Sequence, residues 1–147
     1  MIGRGIGKAI ALAFAQAGAD VALVARTRSQ LEEVALIIRT KFHRRALVFA
    51  IDACDSSALA SCVATVEKEW GKIDVLIPNA GTNSFRPFVH TPFEEWWRIM
   101  EVNLKGAIEL TSLVIKGMKQ RNKGAIIFVS SRAATLSLRK WDDFQIL

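Results

Sequence analysis

Four short runs of almost uninterrupted apolar residues, Val21 to Ala25, Ala46 to Ile51, Ile73 to Ile77 and Ala125 to Val129, limit what this chain can fold into. They are short and lack the alternation of a strand with one wet face, so each predicts a strand covered on both sides. The segments between them carry helical spacing. Ile6 to Ala17 is apolar nearly all round, as a helix pressed against a sheet is, and Gly18 is placed to cap its end. Ser29 to Lys41 predicts a helix capped by Ser29, with Glu32 three residues on completing a capping box, and Ser57 to Trp70 aligns Leu59, Cys62, Val63, Val66 and Trp70. The longest helix is predicted to start at Thr91-Pro92, with Thr91 as its cap, and to run to about Arg121. Regular alternation of strand and helix predicts an α/β fold with a doubly wound parallel sheet and right-handed crossovers.

The composition narrows the function classes. A chain of 147 residues, about half of them hydrophobic, has the length of one ordinary domain, and no repeat, low-complexity stretch or linker divides it. The net charge of +6 concentrates in Arg39, Lys41, Arg44 and Arg45 around His43. Only Phe42 is interleaved there for base stacking, so the cluster reads as a solvated connection and no nucleic-acid partner is expected. Cys54 and Cys62 have neither metal-ligand spacing nor a secreted framework around them, which predicts reduced thiols in an intracellular, cytoplasmic protein. The histidines, His43 and His90, stand far apart without partners for a metal, and none is expected. Ala9 to Ala15 imitates a signal-peptide core, but its glycine-rich entry and the strand that follows favour a buried helix. No apolar segment reaches the roughly 18 residues of a membrane span, so a soluble protein with no membrane partner is expected.

The long helix predicted after Pro92 carries two apolar stripes. One holds Trp96, Met100, Ala107, Leu110 and Val114, and the other Trp97, Leu104, Ile108 and Ile115. One stripe suits the sheet. The other fits either a partner chain, as a homo-oligomer or a complex with a full-length relative around Leu104 and Ile108, or a thicker layer of the monomer.

The residues with chemical character sit at strand ends. Arg4-Gly5-Ile6-Gly7 opens the first helix, where unpaired N–H groups and the helix dipole favour a phosphate. Arg26 follows the first strand, Asp52 the second, and Pro78-Asn79-Ala80-Gly81 the third, while Ser130-Ser131 closes the last. These are the carboxyl ends of the strands, where ligands bind in open α/β sheets. Asn103, in Val102-Asn103-Leu104-Lys105-Gly106, is a polar amide inside the long helix, and burial there requires a specific hydrogen-bond partner. Singly, the glycines are ordinary turn residues and Asp52 a loop cap. In this order and spacing, from Arg4 to about Leu138, the motifs resemble the short-chain dehydrogenase/reductase family.

The resemblance implies a Rossmann-like NAD(P)-binding domain and hydride transfer between a nicotinamide and a ketone or secondary alcohol. Secondary metabolites and lipid-like ketones both lie within the family's breadth. Gly5 and Gly7, with Arg4 and Ile6, resemble the end of the family's glycine motif against the pyrophosphate. Asp52 resembles the residue that hydrogen-bonds adenine, and Asn79, Ala80 and Gly81 the element beside the cofactor, although Pro78 replaces its first Asn. Asn103 and Ser131 resemble the catalytic asparagine and serine, with Ser130 as the neighbouring alternative. Ala25-Arg26 stands where an NAD enzyme usually carries an acid, so positive charge there, helped by Arg28 and Arg4, predicts NADP(H).

The resemblance is incomplete at both ends. The family places a Tyr-x-x-x-Lys element about a dozen residues after Ser131, and this chain has no tyrosine and reads Phe144 near that place. No strand precedes the glycine turn. In the strand order 3-2-1-4-5 that strand is central, and its loss leaves a gap of about 10 Å with unpaired edges. Residues 1–147 are therefore expected to form a single partial domain of a truncated chain with little or no activity, or a non-catalytic fragment that serves a full-length relative as an interaction subunit.

Overall fold

A computed structural model describes residues 5–84, 86 and 88–131. Their order is α1 (Gly5–Gln16), β1 (Val21–Ala25), α2 (Arg28–Lys41), β2 (Ala46–Ala50), α3 (Ser56–Trp70), β3 (Val75–Leu76), a 3-10 turn (Phe88–His90), α4 (Phe93–Met100), a π-helical turn (Glu101–Lys105), α5 (Gly106–Gln120) and β4 (Ala125–Ile126). The βα alternation is the predicted one. β1 pairs with β2 in parallel, Leu23 opposite Val48, and β3 pairs with β4 in parallel, Val75 opposite Ala125. The two pairs form separate two-stranded sheets.

Each pair has its own core. Leu23, Leu31, Val34 and Ile38 are fully buried among α1, β1 and α2, with Ala11 and Ala15 supplying close contact from α1. Val63, Val114 and Met118 join α3 and α5, and the half-buried Leu76 and Ile126 pack against them. A cavity of about 490 Å³ lies between the two cores, lined by Ala11, Val24, Val63, Ile77 and Val114 among others. In a parallel ladder alternate residues direct their backbone groups to opposite sides. Val21 and Ala25 bond toward β2, and Leu76 and Pro78 bond toward β4, so Ala22, Val24, Val75 and Ile77 turn their amides and carbonyls the other way. The expected interruption of the sheet is thus visible as two incomplete edges lining one apolar space.

Local sequence explains the helix ends in part. Gly18, at φ +95°, closes α1: its N–H bonds the Ala15 carbonyl and the Ala19 N–H reaches back to Phe14, each at 3.0 Å. Gly71 does the same for α3 at φ +79°. Asp55 caps α3 by accepting from the Ala58 N–H at 2.9 Å. Three expected features are corrected. The α2 helix starts at Arg28 after Thr27, with no side-chain cap, and Glu32 faces Arg28 and Arg39 at 3.6 and 3.7 Å instead of closing a capping box with Ser29. The long helix is three pieces, because the π turn at 101–105 interrupts it, and Pro92 rather than Thr91 occupies its N-cap. The last strand is two residues long, although Ile127 and Val129 continue its bonding to Leu76 and Pro78.

The basic cluster before β2 is engaged internally. Asp20, just before β1, accepts from the backbone N–H and Nε of Arg45 at 2.9 and 2.7 Å and pairs with Arg44 at 2.9 Å. Arg45 also lies over the Trp70 ring, and Arg39 donates to the Ala46 carbonyl at 2.7 Å. Asp20 thereby fixes the register in which β1 enters beside β2. Burial alone would raise its pKa, but the hydrogen bonds from Arg45 and the charges of Arg44 and Arg45 outweigh that and hold it below the ordinary carboxylate value.

A folded-state pKa below the unfolded value of about 3.9 means that this stabilisation is complete above that pH and is lost as pH falls through the folded pKa. We predict that Asp20→Asn costs about 1–3 kcal/mol in urea unfolding at pH 7. The difference from wild type should shrink as the pH is lowered below about 4, and a difference that stays constant to pH 2 would contradict the assignment.

Candidate functional site

The polar residues stand at the ends of the strands and at the start of α1. At the start of α1, Gly5 has φ +61° and nothing lies within 4 Å of where a Cβ would stand, so its backbone is open to an approaching group. The first turn of α1 has no acidic side chain of its own, and a helix start favours an anion. Ile6 is exposed, while Gly7 is buried and faces the cavity. Arg4, the remaining member of the predicted cradle, lies outside the described residues.

Arg26 follows β1 directly and is exposed. Arg28 is committed to Glu32. Arg26 enters no ion pair or hydrogen bond among the described residues, yet its charge acts on Asp52, which places the two within electrostatic range. Asp52 follows β2. Its Oδ1 accepts from the Cys54 N–H at 2.9 Å and its Oδ2 from Arg98 Nη2 at 2.5 Å. The Cys54 hydrogen bond is the largest influence on the Asp52 carboxyl; together with Arg98 and Arg26 it overcomes the opposing effect of burial and keeps the pKa below the usual carboxylate range.

Asn79 is half-buried after β3, and Ala80 and Gly81 are exposed. Asn103 reaches this loop. Its Oδ1 accepts from the Thr82 N–H at 2.8 Å and its Nδ2 donates to the Thr82 carbonyl at 2.9 Å, so one side chain closes a two-bond clamp on the backbone. The π turn makes room for it: the Gly106 N–H bonds back to Glu101, five residues earlier, and the extra residue re-aims the side chains between them. Gly106 is needed at the end of that turn, because a Cβ there would run into the carbonyl oxygen of Ala53. The helical Asn thus has the specific partner that its burial requires. Ser130 and Ser131 are exposed after β4.

Three participants carried no sequence signal. Arg98 acts on a carboxylate 46 residues away, Thr82 contributes only backbone atoms, and Gly106 is a contact glycine within a helical pattern. Neither cysteine is disulfide-bonded. Burial pushes the Cys62 thiol up to about 11, so it is protonated and unreactive near neutrality. Among the described residues no group of His, Cys, Asp and Glu is placed to hold a metal.

Comparison with known proteins gives this rim a context. The family model for short chain dehydrogenases matches residues 2–142. A short chain dehydrogenase of Pseudocercospora fijiensis is 38% identical over 133 residues, covering 89% of this chain and 43% of the relative. The crystal structure of L-sorbose reductase from Gluconobacter frateurii, complexed with NADPH and L-sorbose, superposes with a TM-score of 0.81 at 36% identity over 86% of this chain and 48% of that one. An NAD⁺-bound xylitol dehydrogenase superposes with a TM-score of 0.85 at 30% identity, covering 90% and 51%. The chain therefore belongs to the short-chain dehydrogenase family, and it spans about half the length of the relatives it matches. Its α/β architecture with parallel strands is part of that family's Rossmann fold.

Replacing Asn103 by Leu leaves the Thr82 N–H and C=O without their side-chain partner in a half-buried place, at a cost of about 1–3 kcal/mol. Faster hydrogen exchange at the Thr82 amide, with the Ala58 amide in the Asp55 cap unchanged, is the expected signature. Unaltered Thr82 exchange would remove the clamp from consideration.

Proposed function

We propose that residues 1–147 form the nucleotide-binding part of an NADP(H)-dependent oxidoreductase that interconverts ketones and secondary alcohols. Family membership supplies the class of nicotinamide-dependent oxidoreductase. The choice of NADP(H) rests on one observation: Arg26, at the end of β1, is exposed and committed to no ion pair among the described residues, where the fold presents a ribose-facing side chain. The neighbouring solved structures include both an NADPH complex and an NAD⁺ complex, so the proposal of NADP(H) rests on Arg26 and not on those structures.

The donor set fits such a cofactor. The open backbone at Gly5, with Ile6 and Gly7 continuing into α1, would receive the pyrophosphate, and Arg4 stands beside it in sequence. Arg26 would meet the 2′-phosphate, Asp52 the adenine, and Asn79, Ala80 and Gly81 the nucleotide beyond it. Bound there, a nicotinamide supplies the hydride. The Asn103 clamp holds the loop after β3 in place, and Ser131 is the residue assigned to the substrate oxygen. No tyrosine occurs among the 147 residues, so a phenolic proton donor cannot come from them; a small secondary metabolite or a lipid-like ketone is the substrate class we assign. Among the described residues no helix is long and apolar enough to cross a membrane; the free cysteines Cys54 and Cys62 support the cytoplasmic location we assign.

Titration of the purified chain with NADPH and NADH tests the cofactor choice. NADPH should bind about 10- to 100-fold more tightly, the contribution of a charge-assisted hydrogen bond. Arg26→Glu should abolish that preference. Equal affinities in the wild type would overturn it.

A second reading concerns a partner. Phe93, Trp97, Leu104, Ile108 and Ile115 all lie exposed along α4, the π turn and α5, Trp97 at 58% and Ile108 at 55%, whereas Val114 on the opposite side is buried. The Phe93 and Trp97 rings stack, extending the apolar stripe at one end. We assign this stripe to association with a second copy or a full-length relative, since an exposed apolar surface of this length is otherwise costly in water. Sedimentation should show an associated species that Leu104→Glu with Ile108→Glu converts to monomer; a monomeric wild type would count against it.

A further inference from the structure

The adenine assignment leaves unexplained how a partly exposed carboxylate keeps one orientation. A single hydrogen bond, from the Cys54 N–H to Oδ1, fixes one oxygen and leaves rotation about the Cβ–Cγ bond. The second oxygen is held from a different part of the fold, by Arg98 Nη2 of α4 at 2.5 Å. With both oxygens held from different directions, the carboxylate plane is set, and each oxygen retains a second lone-pair site for an outside donor. Arg98 is itself braced, with Nη1 3.7 Å from Glu101 Oε2 at the first residue of the π turn. The other charge acting on Asp52 is that of Arg26, across the rim.

We propose that Arg98 is a positioning residue for base recognition: by fixing the Asp52 carboxylate it makes the site select a purine bearing an exocyclic amino group. The inference rests on the nucleotide reading above and adds a residue to it. The chemistry is directional. An ionised carboxylate offers acceptors only, so it matches the 6-amino group of adenine and opposes the 6-oxo group of hypoxanthine. The pair is partly solvated, with side-chain exposures of 40% for Arg98 and 36% for Asp52, so its ion-pair energy is small and its contribution lies in geometry. Because Arg98 precedes the turn that presents Asn103, it also ties the β2–α3 loop to the element that clamps Thr82.

The test uses the full chain and two probes, NADPH and its hypoxanthine analogue. Wild type should prefer NADPH by roughly tenfold or more, since a site built to hydrogen-bond an amino group rejects the analogue lacking it. Arg98→Leu should bring that ratio close to one while leaving the preference for NADPH over NADH intact, and Arg98→Lys should restore part of it. In an Asp52→Asn background, Arg98→Leu should change the ratio no further. Loss of affinity for both probes with the ratio preserved would show Arg98 to be merely structural and overturn the inference, as would loss of discrimination in Asp52→Asn but not in Arg98→Leu. Should Arg98→Leu fail to fold, an Arg98→Gln ratio close to that of Asp52→Asn supports the inference, and a wild-type ratio in Arg98→Gln overturns it. Wild type that binds neither probe would refute the nucleotide reading itself, which separates that failure from the failure of Arg98's role.

Discussion

The backbone of a parallel strand has hydrogen-bonding groups on both sides, and in this molecule each strand bordering the central cavity has one side satisfied. β1 bonds β2, and β3 bonds β4, while the opposite edges of β1 and β3 border the same apolar space. Ala22 and Val24 on one edge and Val75 and Ile77 on the other line that space, so the two strand pairs meet across apolar side chains and not through a shared ladder. The chain folds around two cores, Leu23 with α1 and α2 on one side and Val114 with α3 on the other. The α1 helix borders the space through Gly7 and Ala11.

The polar rim depends on that framework through a few long-range bonds. Asp20 joins the entrances of β1 and β2, which sets where Arg26 and Asp52 emerge at the other ends of those strands. Asn103 ties the loop after β3 to the π turn, and Arg98 ties the loop after β2 to α4. Each link is made by a charged or amide side chain acting on a segment at least 21 residues away. The rim is therefore positioned by specific polar contacts, while its scaffold is held by apolar burial. Short-chain dehydrogenase membership accounts for the order of these elements, and the Arg98–Asp52 and Arg45–Asp20 contacts tie them together.

Much of this was legible beforehand because the signals are local. Apolar runs flanked by helical spacing located β1, β2, α1, α2 and α3 within a few residues, and Gly18 capped α1 because a left-handed residue there needs no Cβ. Local pattern failed where tertiary contact overrode it. Ser29 and Glu32 have capping-box spacing, but Glu32 sits between two arginines. Thr91-Pro92 followed by apolar stripes implied a continuous helix, yet the demand of Asn103 for the Thr82 backbone and the close approach of Gly106 to Ala53 produced a π turn. The basic cluster at 39–45 is largely exposed, as a solvated connection is, and its arginines also pair with Asp20, Glu32 and the Ala46 carbonyl, contacts that no local pattern encodes.

By itself the sequence determined the βα order, the family and the residues that stand at strand ends, since those depend on hydrophobic period and on motifs spaced along the chain. Only the tertiary structure decided which polar groups meet. That Arg98 rather than a nearer cation holds Asp52, that Asn103 grips a loop, and that one apolar stripe stays exposed while the other is half-buried except at the buried Val114 depend on distances between segments remote in sequence. Such distances follow from how the two cores pack, and no local pattern encodes them.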